Sequence, residues 1–229
     1  MFNDLDIEQY YTTNDDVVNS FFVPLLNEAV LYNRTSAYFS MDSLAAYARG
    51  LEQLVLNNGH CRLIISYQIS ERDFEAIHKG YSLRNEITEE MLGKLRQETI
   101  TSLQCGISNL AYMIAIGVVD IKIAFMQEGL FHDKVGLLKD RADNWVSFSG
   151  SNNETIAGLH KNHESFTVNC SWWSDENSPF GKGIQKARNI FELLWNNKQP
   201  RVVVKDIPDI IRRELLKYNK GFLVMNQDI

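Results

Sequence analysis

The chain has 229 residues, of which 45% are hydrophobic, and it carries a formal net charge of −6. This length and apolar content fit one globular domain with a sizeable core. No stretch approaches the roughly 20 apolar residues of a membrane-spanning helix, so we expect no membrane partner. The negative charge argues weakly against a non-specific nucleic-acid binder, which is usually basic, although an acidic protein can carry a locally positive groove.

The N-terminus and the cysteines indicate the compartment. The first residues, MFNDLDIEQYY, are acidic and lack the apolar core of a signal peptide. The three cysteines are odd in number, far apart and without the spacing of zinc ligands. His160 and His163 have a spacing that suits a metal, but no third ligand accompanies them. We therefore expect a cytoplasmic protein with free thiols, no metal and no cofactor.

Hydrophobic patterning predicts strands that alternate with helices early in the chain and adjacent strands later. Asn14 is the predicted cap of the first helix, Pro24 a kink or a late start in it, and Gly106 a break in the fourth. The predicted helices cover 15–32, 41–57, 71–80, 88–116, 181–197 and 208–218. The predicted strands cover 35–40, 61–67, 118–126, 131–138, 145–149, 164–170 and 201–204. This order predicts an α/β fold in which a mixed β-sheet is sandwiched by helices on both faces.

The fourth and fifth predicted strands are joined by a polar cluster of turn formers, so we expect them to form a β-hairpin. Folding this hairpin about Ala142 places Lys134 opposite Gly150 and His132 opposite Asn152. Because side chains alternate along a strand, His132 and Lys134 are expected to point the same way. The hairpin therefore predicts that these two side chains lie beside the segment Gly-Ser-Asn-Asn.

These residue types suit a reaction at a phosphate diester. Lys134 and Asn153 can hold the charged oxygens, while Ser151 offers a further donor and Gly150 allows close backbone approach. His132 can be the nucleophile, since covalent catalysis divides one difficult displacement into two easier steps. A second histidine is needed to protonate the leaving oxygen. The alternative for the His-x-Lys spacing alone is a surface strand with two solvated side chains.

The pattern His-x-Lys followed by Gly-Ser-x-Asn resembles the signature of the phospholipase D superfamily. The segments TSAYFS at 35–40 and FELLW at 191–195 resemble single-motif domains at the N-terminus of bacterial helicase and restriction-type proteins. The resemblance covers about 15–200, with 132–164 as its specific part. It implies one phospholipase D-like α/β/α domain over 1–229, and it leaves open whether the chain is the N-terminal part of a longer protein.

The resemblance implies roles for two carboxylates. Glu164, on the strand after the Gly-Ser-x-Asn segment, corresponds to the acidic residue that orients the histidine; the alternative is a solvated carboxylate at a strand end. The family also places Asp five residues after the lysine, but Lys139 occupies that position here. Asp140 follows it and is expected to support the turn in its place. Lys161 is a candidate for substrate binding, or part of an ordinary solvated face.

Full enzymes of this superfamily need two His-Lys sets that face each other. This chain has one set, because none of the other four histidines is followed by lysine two residues on. The simplest completion is a homodimer whose two-fold axis passes through the active site, so that each protomer supplies the other's acid.

The resemblance thus implies a metal-independent phosphodiesterase, an endonuclease that cleaves DNA through a phosphohistidine, with a defence role against foreign DNA as an extension. Two alternatives stay open. One is a phosphodiesterase acting on RNA or a phospholipid, because chemistry at phosphorus does not define the rest of the substrate. The other is a non-catalytic nucleic-acid-binding or dimerisation module that works with a helicase or restriction partner.

Overall fold

The computed structural model of the chain describes residues 1–107, 109–126 and 128–207. These residues form one sheet of eight strands in the spatial order β1-β7-β6-β5-β2-β3-β4-β8. The strands are β1 Tyr10–Thr12, β2 Ala29–Ser36, β3 His60–Ser66, β4 Val119–Met126, β5 Val135–Asp140, β6 Trp145–Gly150, β7 Ser165–Cys170 and β8 Val202–Asp206. The predicted last helix, 208–218, lies outside the described residues.

The sheet is mixed, and the pairing of neighbouring strands changes from parallel to antiparallel at β2. The strands β2, β3 and β4 are mutually parallel, whereas β2 pairs antiparallel with β5 and the remaining neighbours are antiparallel. Seven α-helices of the described residues accompany it: α1 Val23–Glu28, α2 Met41–Ala46, α3 Ala48–Leu56, α4 Glu71–Glu86, α5 Glu89–Gln104, α6 Leu110–Ala115 and α7 Pro179–Trp195. No helix within the described ranges is long and apolar enough to cross a membrane.

Two apolar clusters lie on opposite faces of the sheet. Leu63 and Leu138 pack with residues of α1 to α6, while their chain neighbours Ile64 and Leu137 pack with residues of α7. This division follows from the alternation of side chains along a strand. The predicted mixed sheet with helices on both faces is therefore confirmed.

The boundaries near the N-terminus differ from the sequence prediction. The predicted helix 15–32 is a π-helical turn, Val18–Phe22, followed by α1, which ends at Glu28. The following strand runs over Ala29–Ser36 instead of 35–40, because its apolar residues pair with both β3 and β5 in the middle of the sheet. A short apolar run such as Val-Leu-Tyr fits a helix and a buried strand equally well, so periodicity alone could not place this boundary.

Smaller differences have local causes. Asn14 does not cap the first helix, because it lies inside a short 3₁₀ turn whose N-cap is Thr12, while Pro24 occupies the first turn of α1. The predicted helix 41–57 is interrupted at Tyr47, and β1 was not predicted because it has only three residues. The break predicted at Gly106 is present, with a φ of +73° that glycine adopts without strain.

The hairpin β5–β6 has the predicted register. Val135 pairs with Ser149 and Lys139 with Trp145, so the hairpin is centred on Ala142. The strand begins at Val135, however, so His132 and Lys134 lie in the segment just before it and not within a strand from 131.

Asp140 braces the hairpin turn from a buried position, with only 1% of its surface exposed. Its carboxylate accepts hydrogen bonds from the backbone of Ala142 and Asn144, from the Asn144 amide, and from the backbone N–H of Phe2. Burial alone would raise the pKa of this carboxyl, but the hydrogen bonds from Asn144, Phe2 and Ala142 outweigh it and hold the pKa below its ordinary value. The turn and the N-terminus are thus tied to one carboxylate.

We expect Asp140→Asn to lower the free energy of unfolding by about 1.5–3 kcal/mol at neutral pH, because an amide NH₂ would face hydrogen-bond donors. A carboxyl with a depressed pKa stabilises the fold above its unfolded pKa, and this contribution is lost as the pH falls through the folded value. The difference in the free energy of unfolding between the variant and the wild type, measured by urea unfolding, should therefore shrink as the pH falls below the ordinary carboxyl pKa of 3.8.

Asp143→Asn is the matched control in the same turn. Asp143 has a φ of +65°, which asparagine tolerates, and its side chain is 68% exposed beside Lys139. Its loss should cost no more than about 1 kcal/mol. Equal effects of the two substitutions would contradict the bracing role of Asp140.

Candidate active site

The carboxyl end of β2 fixes the segment that carries His132 and Lys134. Thr35 Oγ1 donates a hydrogen bond to Asp133 Oδ2 at 3.0 Å and accepts one from the Val135 backbone at 2.9 Å. These contacts hold the residue between His132 and Lys134 and the first residue of β5. The segment is therefore anchored on both sides of Lys134.

The same end of β2 also holds the end of the Gly-Ser-x-Asn segment. Arg34 Nη2 donates to the Asn152 carbonyl at 2.6 Å, and the Glu154 backbone N–H donates to Ser36 Oγ at 2.8 Å. Three successive residues of one strand thus bind two segments that lie 98 and 118 positions further along the chain. This arrangement brings the predicted His-x-Lys and Gly-Ser-x-Asn motifs to one end of the sheet.

A buried charged cluster lies beneath these contacts. Glu154 is fully buried, and its carboxylate lies 3.3 Å from Arg34 Nε and accepts hydrogen bonds from the hydroxyls of Tyr32 and Tyr47. The Arg34 guanidinium also lies over the Phe148 ring, 4.8 Å from its centroid. Burial, and then the charge of Glu154, raise the pKa of both tyrosines, which therefore stay protonated as donors.

His132 and Lys134 are in contact. Lys134 Nζ lies 3.1 Å from His132 Nδ1 and 3.2 Å from Nε2, and it is 3.3 Å from the His132 carbonyl oxygen. The imidazole is exposed, whereas only 7% of Lys134 is exposed. Burial lowers the pKa of Lys134, the charge of Arg34 lowers it further, and Glu164 and Asp133 oppose these effects. The pair combines an accessible imidazole with a cation held beside it.

The Gly-Ser-x-Asn segment follows β6 and is pinned to β7. Ser151 N–H donates to the Ser165 carbonyl at 3.0 Å, and Ser165 N–H donates to Ser151 Oγ at 3.1 Å. A Cβ at Gly150 would lie 2.1 Å from the Ser165 carbonyl oxygen, so only glycine permits this approach. Asn153 Oδ1 accepts a hydrogen bond from the Tyr38 backbone at 3.2 Å, which leaves its Nδ2 group as a donor.

Glu164 and Lys161 lie on the chain that leads into β7. The Glu164 backbone N–H donates to Thr13 Oγ1 at 2.7 Å, and its carboxylate accepts a hydrogen bond from Asn162 at 3.2 Å. Among the described residues no hydrogen bond joins Glu164 to His132. Lys161 is exposed at the end of a π-helical turn, Ala157–Lys161. The charge of Glu164 raises the pKa of Lys134 and so partly opposes the effect of burial on it.

Tyr38 is an aromatic side chain beside His132, whereas Trp172 and Trp173 lie at another part of the sheet. Trp172 and Trp173 follow Cys170, at the end of β7 next to the β5–β6 turn, and Trp172 packs against the core. The Tyr38 ring lies 6.4 Å from the His132 ring at an interplanar angle of 87°. The sequence did not single out Tyr38, because the segment TSAYFS predicts a core strand.

Arg34 and Glu154 were also missed. Arg34 fell in the predicted gap between a helix and a strand, where an arginine is ordinary. Glu154 directly follows the second asparagine of Gly-Ser-Asn-Asn, and nothing in its neighbourhood predicts complete burial. Arg34 could have been found from the sequence, because it lies within an apolar run that forms a buried strand.

The described residues hold no group of three or more His, Cys, Asp or Glu side chains arranged for a metal ion.

No protein-family model and no curated protein matches the chain. Solved structures do match. The chain is similar to NucT from Helicobacter pylori, at 12% identity over 85% of this chain and 98% of that one, with a TM-score of 0.46. It is similar to Nuc, a phospholipase D family member from Salmonella typhimurium, at 13% identity over 86% and 95% of the two chains, with a TM-score of 0.48.

It is also similar to polyphosphate kinase from Porphyromonas gingivalis, at 9% identity and a TM-score of 0.50. That match covers 94% of this chain and 28% of the kinase. At these identities the likeness concerns the fold alone. The described residues adopt the α/β/α arrangement that the sequence predicts, a mixed sheet with helices on both faces.

Proposed function

We propose that this chain is a metal-independent phosphodiesterase that cleaves DNA through a phosphohistidine on His132, with its active site completed by homodimerisation. The observation that carries the proposal is the contact between the exposed imidazole of His132 and the buried ammonium of Lys134, beside the Gly-Ser-x-Asn segment. A displacement at phosphorus needs an accessible nucleophile, a fixed cation, and hydrogen-bond donors such as amides and hydroxyls.

In the first step a ring nitrogen of His132 attacks the phosphorus, a P–N bond forms, and the P–O bond to the leaving group breaks. The leaving oxygen takes a proton from a second imidazole. Water then attacks the phosphorus and gives a proton to that second imidazole, the P–N bond breaks, and His132 is restored. Lys134, Ser151 and the Asn153 amide hold the phosphate oxygens, whose negative charge is redistributed during both displacements.

The second imidazole is the His132 side chain of the partner subunit. A two-fold axis brings identical residues opposite each other, so one dimer would contain one complete site. Glu164 orients His132 in this proposal, which requires its carboxylate to exchange the Asn162 amide for an imidazole nitrogen. Lys161, exposed on the turn between the motif and β7, contributes positive charge for the approaching strand.

DNA is the proposed substrate because the resemblance is to restriction-type and helicase-linked domains, and the proposed role is in defence against foreign DNA. RNA or a phospholipid would react by the same chemistry. The second candidate is a non-catalytic nucleic-acid-binding or dimerisation module. It is favoured by the single His-Lys set, since a protomer alone has no second imidazole in the motif.

The first test is DNA cleavage in EDTA. We expect the wild type to cleave and His132→Ala to be slower by at least about 10³-fold, because the nucleophile is gone. His78→Ala, which removes another exposed histidine, on α4, is the matched control and should cleave like the wild type. Equal cleavage by all three proteins would contradict the role of His132. DNA binding without cleavage by any of them would favour the non-catalytic module.

The second test uses mixed subunits. After subunit exchange with an equal amount of His132→Ala, the activity per wild-type subunit should fall to about half, because half of these subunits then sit in dimers with one imidazole. The same mixture measured before exchange is the control. Undiminished activity after exchange, with sedimentation showing a monomer, would show that each chain is complete by itself.

The third test measures how the affinity for a short oligonucleotide falls as the pH rises, which is the alkaline limb of binding. Fluorescence anisotropy reports the affinity, and the His132→Ala background prevents cleavage. Because burial and Arg34 lower the pKa of Lys134, its charge should be lost, and binding should weaken, below the ordinary lysine pKa of 10.5. Lys134→Arg keeps its charge throughout this range and should abolish the limb. The same limb in both proteins would exclude Lys134 as the phosphate-binding cation.

A further inference from the structure

Tyr38 combines a fixed backbone with an exposed ring. Its N–H donates to Asn153 Oδ1 at 3.2 Å, and its carbonyl accepts a hydrogen bond from Ser36 Oγ at 2.7 Å. Its chain neighbours Ala37 and Phe39 are 0% and 5% exposed, while Tyr38 is 40% exposed. The backbone of Tyr38 is therefore held by the same strand end that holds the two motifs.

The exposed ring borders the reacting group. The Tyr38 ring lies 6.4 Å from the His132 ring, and the two ring planes are nearly perpendicular. The Tyr38 ring therefore borders the space next to the imidazole. Within the described ranges the Tyr38 hydroxyl makes no hydrogen bond, so the contact with His132 leaves the polar end of the side chain available. Tyrosine combines an apolar ring with a polar hydroxyl, which suits it to contacts at interfaces.

We propose that Tyr38 is the base-binding residue of this site: its ring stacks on the nucleobase adjacent to the phosphate held at His132. The proposal rests on the proposed function and narrows its substrate to a nucleic-acid strand whose bases are unstacked. A nucleobase is separated from its phosphate by one sugar, a span comparable to the separation of the two rings. Aromatic stacking of this kind accepts any base, because every base has a π-face.

A single nucleic-acid strand fits better than a lipid. A lipid surface or acyl chain needs a contiguous apolar surface. Tyr38 instead stands between two buried residues, and its ring borders His132, which contacts Lys134. Its backbone N–H binds Asn153. A flat ring among phosphate-binding groups suits a ligand whose charged and aromatic parts alternate. Such alternation is the chemistry of an oligonucleotide.

The test measures binding in the His132→Ala background, so that no cleavage occurs, with two labelled probes. One is a short oligodeoxythymidylate, and the other is an abasic oligonucleotide of the same length and charge. We expect Tyr38→Leu to weaken binding of the thymidylate roughly tenfold and to leave the abasic probe nearly unchanged, because only the stacked base is lost. Tyr38→Trp should retain the affinity for the thymidylate.

Trp173→Leu is the matched control, since Trp173 is also 40% exposed but lies beyond the other end of β7. It should leave both affinities unchanged. An equal loss on both probes would make Tyr38 a support for the motif and overturn the proposal, as would no loss on either. Failure of both probes to bind would also overturn it.

The outcome is separable from that of the proposed function. Cleavage of DNA by the wild type, with no effect of Tyr38→Leu on binding, removes the base-stacking role and leaves the histidine chemistry. Base-selective binding through Tyr38 without any cleavage keeps this proposal and removes the catalytic one.

Discussion

The ion pair between Arg34 and Glu154 is the constraint on which the candidate site depends. Both side chains are at most 1% exposed, so each charge has left water and needs the other. Removing one partner of such a pair leaves an uncompensated buried charge, which typically costs about 3–5 kcal/mol. The hydroxyls of Tyr32 and Tyr47 satisfy further lone pairs of the carboxylate. The pair is therefore stable only with the whole cluster in place.

The cluster fixes geometry as well as charge. Arg34 binds the Asn152 carbonyl, and the Glu154 backbone binds Ser36, so the Gly-Ser-x-Asn segment cannot move without breaking buried contacts. Thr35, between these two strand residues, binds the segment of His132 and Lys134 in the same way. A site whose donors are held before the substrate arrives loses less free energy to reorganisation when charge develops. One strand end thus pre-organises both motifs.

The sequence predicted the fold class, the hairpin register and the proximity of the two motifs, because these follow from strand periodicity and turn residues. It did not predict Arg34, Glu154 or Tyr38, whose roles depend on contacts between distant parts of the chain. The misplaced boundary of β2 had the largest consequence, since it put Arg34 outside any strand. The expected orientation of His132 by Glu164 rested on resemblance alone, and in the structure the Glu164 carboxylate accepts a hydrogen bond from the Asn162 amide. The periodicity of the sequence does not encode such contacts, so it could not predict the roles of these residues.

The length of chain between the buried partners bears on how the protein acquires its structure during synthesis. The contact of Arg34 with Asn152 joins residues 118 positions apart, and the contact of Tyr32 with Glu154 joins residues 122 apart. In a nascent chain that ends before these residues, a buried Arg34 would have no counter-charge, so β2 cannot take its place in the sheet until Glu154 has left the ribosome. Contacts of such long range also slow folding. The order of the motifs along the chain thus delays formation of the candidate site until the Gly-Ser-x-Asn segment has been synthesised.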